Sequence, residues 1–341
     1  MDPQRKSLRI GAAVIACAIL LRLAGSGFFR PLADMLLQPG VASFLLYLET
    51  GRVARLSPPA ENSTEVWVRE SPAPELPPAE LPAEPVSFTA EDLSLVDIRS
   101  SCVYEPDYEA LLLQPLEWDL TGSDPTVLIL HTHATESYTK TADADYVESS
   151  AYRTLDERYN MLAVGDALAR QLEAGGLTVL HDRTLHDDDS YNGSYNHARA
   201  SIEEYLAEYP SIRLILDLHR DAADLEDGGQ LSTSATVDGR ESARLMLVVG
   251  SDGSGLYHPH WQENLALALK LQVTLEKENP GICRYLCLRN SRYNQDERPG
   301  ALLVEVGAAG DTLEKALTAA EVLGSGILAL AQGTATSDST S

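Results

Sequence analysis

Short apolar runs that alternate with helical patterns constrain the fold of this chain more than any other feature. The run VLIL at residues 127–130 is typical of a strand buried on both faces and predicts a strand over residues 126–130. Further strands are predicted at residues 177–180, 214–218, 244–249 and 301–306. Strands that alternate with helices predict a three-layer α/β domain, with a mostly parallel central sheet and helices on both faces.

Helical spacing fills the gaps between these strands. Met161, Val164, Leu168 and Leu172 recur at helical intervals. The segment TLDE at residues 154–157 has the spacing of a capping box, which predicts that this helix begins there. Further helices are predicted over residues 196–208, 261–277 and 312–330.

The amino terminus has the pattern of an export signal. Arg5, Lys6 and Arg9 precede an uncharged run, Ile10–Leu21, and such a positive start before an apolar stretch is typical of export. Residues 1–30 are therefore predicted to be a signal-anchor or transmembrane segment, with the remainder of the chain outside the cytoplasm. Twelve uncharged residues are few for a membrane span, so composition leaves open whether this segment is cleaved or retained.

The remaining domain boundaries follow from shifts in composition. An apolar juxtamembrane segment is predicted at residues 31–56, and a linker rich in Pro and Glu at residues 57–90. Such a linker buries too little apolar surface to offset the entropy lost on ordering. The globular domain is predicted over residues 95–331 and a polar tail over residues 332–341.

Charge and cysteine content exclude some classes of protein. The formal net charge is −25, from 51 acidic and 26 basic residues, which argues against nucleic acid as a partner. Cys283 and Cys287 form one C-x3-C pair, which is too weak a signal for a zinc knuckle. Buried or free thiols are the favoured interpretation of both residues, although a disulfide between them stays open.

Three predicted strands end in residues suited to metal or proton chemistry. His133 and Glu136 follow the first, His219 ends the second, and Glu305 lies near the end of the third. Ligands of open parallel sheets lie beyond the carboxyl ends of the strands, so these side chains are expected to meet. Two His and one carboxylate are the ligands of a catalytic zinc ion, which leaves one position open for water. We therefore predict one zinc held by His133, Glu136 and His219, with Glu305 as the catalytic carboxylate.

Several neighbouring residues compete for roles at this site. His131 could replace His133 as a ligand, join it, or hydrogen-bond behind it, and His133 is favoured because it completes the spacing His-x-x-Glu. Asp156 and Glu157 compete with Glu136 as the ligand carboxylate.

Outside the ligand set, Asp217 and Asp221 flank His219 and are candidate hydrogen-bond acceptors for it, while Arg220 is a candidate to bind a substrate carboxylate. The Tyr and Asn residues of the segment YNGSYNHARA at residues 191–200 are candidates to line a sugar or peptide groove.

The motifs HTHATESY, YNGSY, LDLHRDA and LLVEVGAAGDT, in this order behind an apolar amino terminus and a Pro-rich linker, resemble those of the stage II sporulation protein P family. The resemblance covers roughly residues 95–331. It implies a membrane-anchored, zinc-dependent N-acetylmuramoyl-L-alanine amidase that cleaves peptidoglycan during spore engulfment, with endopeptidase action on stem peptides also attributed to the family. It further implies a retained anchor at the sporulation septum and two partners, a lytic transglycosylase and a membrane scaffold protein.

The family's ligand and catalytic roles carry over onto His133, Glu136, His219 and Glu305. Related amidases take the ligand carboxylate from the helix start after the first His motif, which keeps Asp156 and Glu157 as alternatives. Two other functions compete with the amidase: a zinc endopeptidase or carboxypeptidase acting on stem peptides, and a wall-binding scaffold without catalysis.

Overall fold

The computed structural model describes residues 85–188, 190–225 and 228–334. The predicted membrane segment, the juxtamembrane segment, the linker up to residue 84 and the tail from residue 335 lie outside these ranges. Within the described ranges, no helix is both long and apolar enough to cross a membrane.

Seven strands form the central sheet, and two more form a separate antiparallel hairpin. The strands, in chain order, are β1 (Ile98–Ser100), β2 (Val127–Leu130), β3 (Val179–His181), β4 (Leu214–Asp221), β5 (Ala235–Val237), β6 (Arg240–Ser242), β7 (Leu245–Val249), β8 (Leu286–Leu288) and β9 (Ala301–Ala308). The order across the sheet is β1-β8-β7-β9-β4-β2-β3, and the hairpin pairs β5 with β6.

The prediction of a mostly parallel sheet is confirmed, with one reversal. Strands β9, β4, β2 and β3 run parallel to one another, as do β7, β8 and β1. The two groups meet at β7 and β9, which are antiparallel. The sheet is therefore mixed, and the carboxyl ends of β7 and β8 lie at the edge opposite to those of β2, β4 and β9.

Helices connect the strands. They are α1 (Tyr108–Leu113), α2 (Met161–Ala174), α3 (Ser194–Glu208), α4 (Trp261–Glu278) and α5 (Leu313–Ala329). The predicted start of α2 at the Thr154 capping box is wrong, because Asn160 caps the helix by accepting a hydrogen bond from the Leu162 N–H. The Thr154 hydroxyl instead donates to the Val147 carbonyl and accepts from the Asp156 N–H, which stabilises the preceding loop.

The two faces of the sheet are covered unequally. Leu214, Leu216 and Leu218 of β4 point into the large apolar core formed with α2, α4 and α5, and we call this side the helical face. The other side, toward which the alternate residues of β4 point, we call the open face. There α3 covers only part of the sheet, through Ala198 and Ile202.

The rest of the open face has no helical cover among the described residues. Its apolar cluster is Met246, Val248, Cys287 and Leu303, with Tyr285 and Tyr293 packed beside it, and none of these residues belongs to a helix. The predicted second helical layer is therefore incomplete, and a pocket opens where it is missing.

Candidate active site

A pocket of about 300 Å³ on the open face brings together the four residues assigned from the strand ends. His133 and Glu136 lie in the turn after β2, His219 lies in β4, and Glu305 lies in β9. His219 and Glu305 are direct partners in the β4–β9 register, so their side chains emerge side by side on one face. Parallel pairing of β2, β4 and β9 thus places residues distant in sequence around one cavity.

The two histidines and Glu136 lie close to one another. Glu136 Oε2 is 3.6 Å from His219 Nδ1, and the rings of His133 and His219 are edge to face with centroids 5.3 Å apart. His133 Nδ1 is buried and has no hydrogen-bond partner. An unpaired buried nitrogen is costly, which is typical of a position that binds a ligand.

Two arginines contact the Glu136 carboxylate, which is held in its charged form. Arg153 donates to Oε1 at 3.1 Å, Arg220 Nη1 lies 3.6 Å from the same atom, and the Arg220 backbone N–H donates to Oε2. Burial raises the pKa of Glu136, but the contact with His219 and the charge of Arg220 outweigh it and lower the pKa to about 2. Glu136 is therefore a carboxylate at any physiological pH.

Asp217 lies directly behind His219. Its carboxylate accepts hydrogen bonds from the Thr132 N–H at 2.7 Å and the Thr132 hydroxyl at 2.6 Å, and His219 Nε2 lies 3.0 Å from Oδ1 without a well-aligned hydrogen bond. Burial lowers the pKa of His219, whereas the carboxylates of Asp217 and Glu136 raise it well above its ordinary value. With Nε2 turned to Asp217, Nδ1 is the nitrogen that faces Glu136.

Glu305 differs from Glu136 in both surroundings and charge. Its Oε2 atom is buried without a hydrogen-bond partner. Burial raises the pKa of Glu305 to about 8, and the charge of His219 offsets this only in part. A carboxyl group that changes protonation near neutral pH is suited to accept and return a proton.

The residues present fit a zinc ion by their chemistry. No group of three His, Cys, Asp or Glu side chains in the described ranges already has the geometry of a metal cluster. The donor set of His133, Glu136 and His219 nevertheless matches that of catalytic zinc sites. The unpaired His133 Nδ1 and the carboxylate behind His219 are the features such a site needs, since ligating histidines usually have a partner on the other ring nitrogen.

The structure does not bring His131 to the pocket. It is fully buried toward the helical face, where its Nδ1 pairs with the Leu218 carbonyl at 3.1 Å and its Nε2 lies 2.9 Å from His181 Nε2. Burial lowers the pKa of His131 to about 3, so it is neutral. The chain turns after β2, and this turn sends His131 and His133 to different sides of the sheet.

Arg220 lines the pocket, and its guanidinium also makes several contacts within the protein. Its Nε donates to the Ser137 carbonyl and its Nη2 to the Tyr152 carbonyl, which stabilises the loop that carries Glu136. Asp221 lines the pocket, but its carboxylate pairs with Arg284 at 2.7 Å and does not contact His219.

The alternative ligand carboxylates lie away from the pocket. Asp156 pairs with Arg158 at 2.6 Å, and Glu157 pairs with Arg183 at 2.7 Å. Neither lines the cavity that contains His133 and His219. Of the three candidates, only Glu136 lies beside both histidines.

Several residues of the site had no signal in the sequence. Asp187 accepts from the Thr135 N–H and hydroxyl, lies 3.9 Å from His133 Nδ1, and pairs with Arg153. These contacts join three loops, so no local spacing could have revealed them.

Tyr191, a candidate to line the groove, lies at the pocket, and its ring stacks on the His133 ring with centroids 4.4 Å apart.

Cys102, Cys283 and Cys287 are free thiols, and the latter two are buried. The interpretation of Cys283 and Cys287 as buried thiols therefore holds, and Cys287 forms part of the pocket wall.

Two solved structures show only a distant likeness to this chain. N-acetylmuramoyl-L-alanine amidase AmiC2 of Nostoc punctiforme is 16% identical, with 61% of this chain and 97% of that chain covered and a TM-score of 0.34. The CwlD amidase from Clostridioides difficile, in complex with the GerS lipoprotein, is 15% identical, with 60% and 94% covered and a TM-score of 0.36. Scores this low support no inference about activity.

Similarity in sequence is more specific. The stage II sporulation protein P of Bacillus subtilis (strain 168) is 30% identical over 211 residues, which are 59% of this chain and 49% of that protein. The chain thus matches about half of this relative's length. The sequence model of the stage II sporulation protein P family matches residues 63–328, well over half of the chain. The chain therefore belongs to the stage II sporulation protein P family.

Proposed function

We propose that this protein is a zinc-dependent N-acetylmuramoyl-L-alanine amidase, which cleaves the amide between muramic acid and L-alanine of peptidoglycan during spore engulfment. The observation that carries the proposal is the meeting of His133, Glu136, His219 and Glu305 in one pocket on the open face. Family membership supports the same assignment.

His133, Glu136 and His219 would hold the zinc ion. A bound zinc ion supplies a Lewis acid for the scissile carbonyl and lowers the pKa of water to ~7. Asp217 fixes the orientation of the His219 ring, and the pair of Arg153 and Arg220 fixes the Glu136 carboxylate.

Glu305 would carry the proton in this reaction. It takes the proton of the attacking water onto its unpaired carboxylate oxygen and returns it to the nitrogen of the leaving L-alanine. The raised pKa of Glu305 makes the first transfer favourable, because a strongly acidic carboxyl would be a poor base near neutral pH.

We further propose that the protein acts outside the cytoplasm at the cell membrane. The charged and apolar pattern of residues 1–30 supports a retained anchor, and the Pro-rich linker supports a catalytic domain held away from the membrane. A lytic transglycosylase and a membrane scaffold protein of the engulfment complex are the proposed partners, and family membership is what supports them.

Product analysis tests the proposal. The purified full-length chain is incubated with zinc and peptidoglycan, and the products are identified by mass spectrometry. Free stem peptides that begin with alanine, together with glycan strands without peptide, are expected. Glu305→Gln should release neither, while Glu321→Gln, which removes a carboxylate on α5 that pairs with Arg240, should match the wild type.

Other products would change the assignment. Shortened or uncrosslinked stems still attached to sugar would identify an endopeptidase or carboxypeptidase acting at the same site. No release by the wild type, together with no zinc bound at equilibrium, would overturn the hydrolase and favour a wall-binding scaffold.

A further inference from the structure

Arg289 is an arginine of the active-site pocket that has no carboxylate partner among the described residues. It lines the same cavity as His219 and Glu305, and no carboxylate in the described part of the chain lies within 4.0 Å of it. By contrast, Arg220 lies 3.6 Å from Glu136, and Arg284 pairs with Asp221, which lines the pocket. A protein with a net charge of −25 thus keeps an unpaired cation in this pocket.

Neutral contacts hold Arg289 in place. Nη1 donates to the Ser101 hydroxyl at 3.2 Å and Nη2 contacts Cys287 Sγ at 3.2 Å. Its backbone is fixed as well, because its N–H donates to the Val249 carbonyl and its own carbonyl accepts from the Ser251 hydroxyl. The guanidinium is therefore oriented but keeps its full charge, and a carboxylate could bind it through two parallel hydrogen bonds.

The path from Glu305 to Arg289 runs across the part of the open face that has no helical cover. Glu305 of β9 pairs with Met246 of β7. Val248 of β7 pairs in turn with Cys287 of β8, which is one strand further from β9. Arg289 follows two residues after Cys287, which puts about 16 Å between the Cα atoms of Glu305 and Arg289. Met246, Val248 and Leu303 form an apolar floor between them. An apolar floor strengthens a charged hydrogen bond at its end, since the local dielectric constant is lower than that of water.

The charge of the substrate shows which part of it can reach Arg289. In the proposed reaction the carboxyl group of muramic acid is already consumed in the scissile amide, so the free carboxylates nearby belong to the stem peptide. An extended peptide spans about 3.3–3.6 Å per residue. Allowing for the length of the two side chains, the distance from Glu305 corresponds to about three or four residues.

We propose that Arg289 binds a carboxylate carried by the third or fourth residue of the stem peptide, and that Met246, Val248 and Leu303 form the floor of this peptide subsite. This inference rests on the proposed amidase function and adds the direction of the peptide and the group that recognises it. Arg289 is then a specificity-determining residue and takes no part in bond cleavage.

Two ligands that differ in charge alone test the subsite. Both are muramoyl tetrapeptides of the diaminopimelate type; in one the free carboxyls of the third and fourth residues are intact, and in the other both are carboxamides. The wild type should cleave the acid with kcat/KM about 10- to 100-fold above that of the amide, the range for a charge-assisted hydrogen bond. Arg289→Gln should lower this ratio to about 1, and Arg289→Lys should restore part of it.

A matched control and a binding measurement keep the outcomes separate. Arg240→Gln removes an exposed arginine that pairs with Glu321 on α5, and it should keep the wild-type ratio. Calorimetry with zinc-loaded Glu305→Gln, alone and combined with Arg289→Gln, measures the affinity for both ligands without cleavage. If the wild type cleaves neither ligand but the acid binds more tightly through Arg289, the amidase function fails and the subsite stands. If Arg289→Gln keeps the preference for the acid, or if no preference exists, the subsite is overturned.

Discussion

The two faces of the central sheet bury very different side chains. On the helical face, Leu216 and Leu218 pack into a continuous apolar core with α2, α4 and α5. On the open face, the neighbouring residues Asp217 and His219 are also buried but belong to a polar network. In β4, therefore, the even-numbered residues pack in the core and the odd-numbered ones belong to the site, because successive side chains point to opposite faces.

This difference explains where the pocket lies. A second full layer of helices would cover the open face, and the buried charges there would then have no access to a substrate. In the described residues α3 stops short of β7 and β8, and the cavity occupies the gap. We therefore expect changes on the helical face to affect stability and changes on the open face to affect zinc binding and catalysis.

The largest expected effect is a difference between variants of two buried histidines, His219 on the open face and His131 on the helical face. His219→Gln should abolish zinc binding and lower kcat/KM at least about 10³-fold, because a bound metal contributes several kcal/mol to the transition state. His131→Gln should keep the zinc content and the kcat of the folded protein but lower its melting temperature, because it removes contacts to Leu218 and His181. Zinc analysis, enzyme kinetics and thermal melting measure the zinc content, the kinetic constants and the melting temperature of both variants. Loss of zinc in His131→Gln would show that the two faces are not independent.

A cavity on the helical face should cost stability without affecting substrate binding. Leu168 of α2 is fully buried, and Leu168→Ala should lower the free energy of unfolding by about 2–5 kcal/mol. Met246→Ala, its counterpart on the open face, should cost less, because the pocket already leaves part of that side chain without packing partners. Urea unfolding gives the free energies, and KM should rise only in Met246→Ala. Equal unfolding energies in the two variants would contradict the comparison.

A smaller effect is expected at the carboxylate behind His219. Asp217→Asn keeps the shape of the side chain but removes its charge, and it should weaken zinc affinity about 10- to 100-fold. Competition with a chelator of known affinity measures this change. The matched change Asp166→Asn, at the carboxylate that pairs with His181, should leave zinc affinity unaltered. If both variants bind zinc as the wild type does, Asp217 does not support a ligand.

A further expected effect is a slope of stability with pH in the zinc-free protein. The pKa of Glu305 is raised to about 8 from an ordinary value of 4.5, so between these values the folded state holds more protons than the unfolded state. Its contribution to stability is complete below the lower value and is lost as the pH rises to the upper one, by at most about 1.4 kcal/mol per pH unit.

Glu305→Gln removes this contribution to the slope. Relative to the wild type, its free energy of unfolding should therefore increase from pH 5 to pH 8 when both are measured by urea unfolding with a chelator present. A constant difference across this range would show that Glu305 titrates normally in the folded protein.

Local patterns predicted the strands that surround the site, together with the short strand β3, and missed the other short ones. Strands β2, β4 and β9 carry long apolar runs, and their predicted positions agree with the structure to within a few residues. The missed strands β1, β5, β6 and β8 have three residues each, too few for a period of two to be recognised. The start of α2 was misplaced because the Thr154 pattern also satisfies a loop, and the sequence does not reveal which backbone groups are free to bond.

The sequence by itself determined which residue types end the strands of the sheet, and so it determined that His133, His219 and Glu305 meet at one edge. Tertiary structure decided the rest. The turn after β2 separated His131 from His133. Asp156 and Glu157 paired with arginines away from the pocket, whereas Glu136 came to lie beside both histidines. The antiparallel β7 brought Arg289 to the same pocket. The physical reason is that strand alternation and strand ends are local properties of the chain, whereas the pairing of charges and the covering of a face depend on groups that only folding brings together.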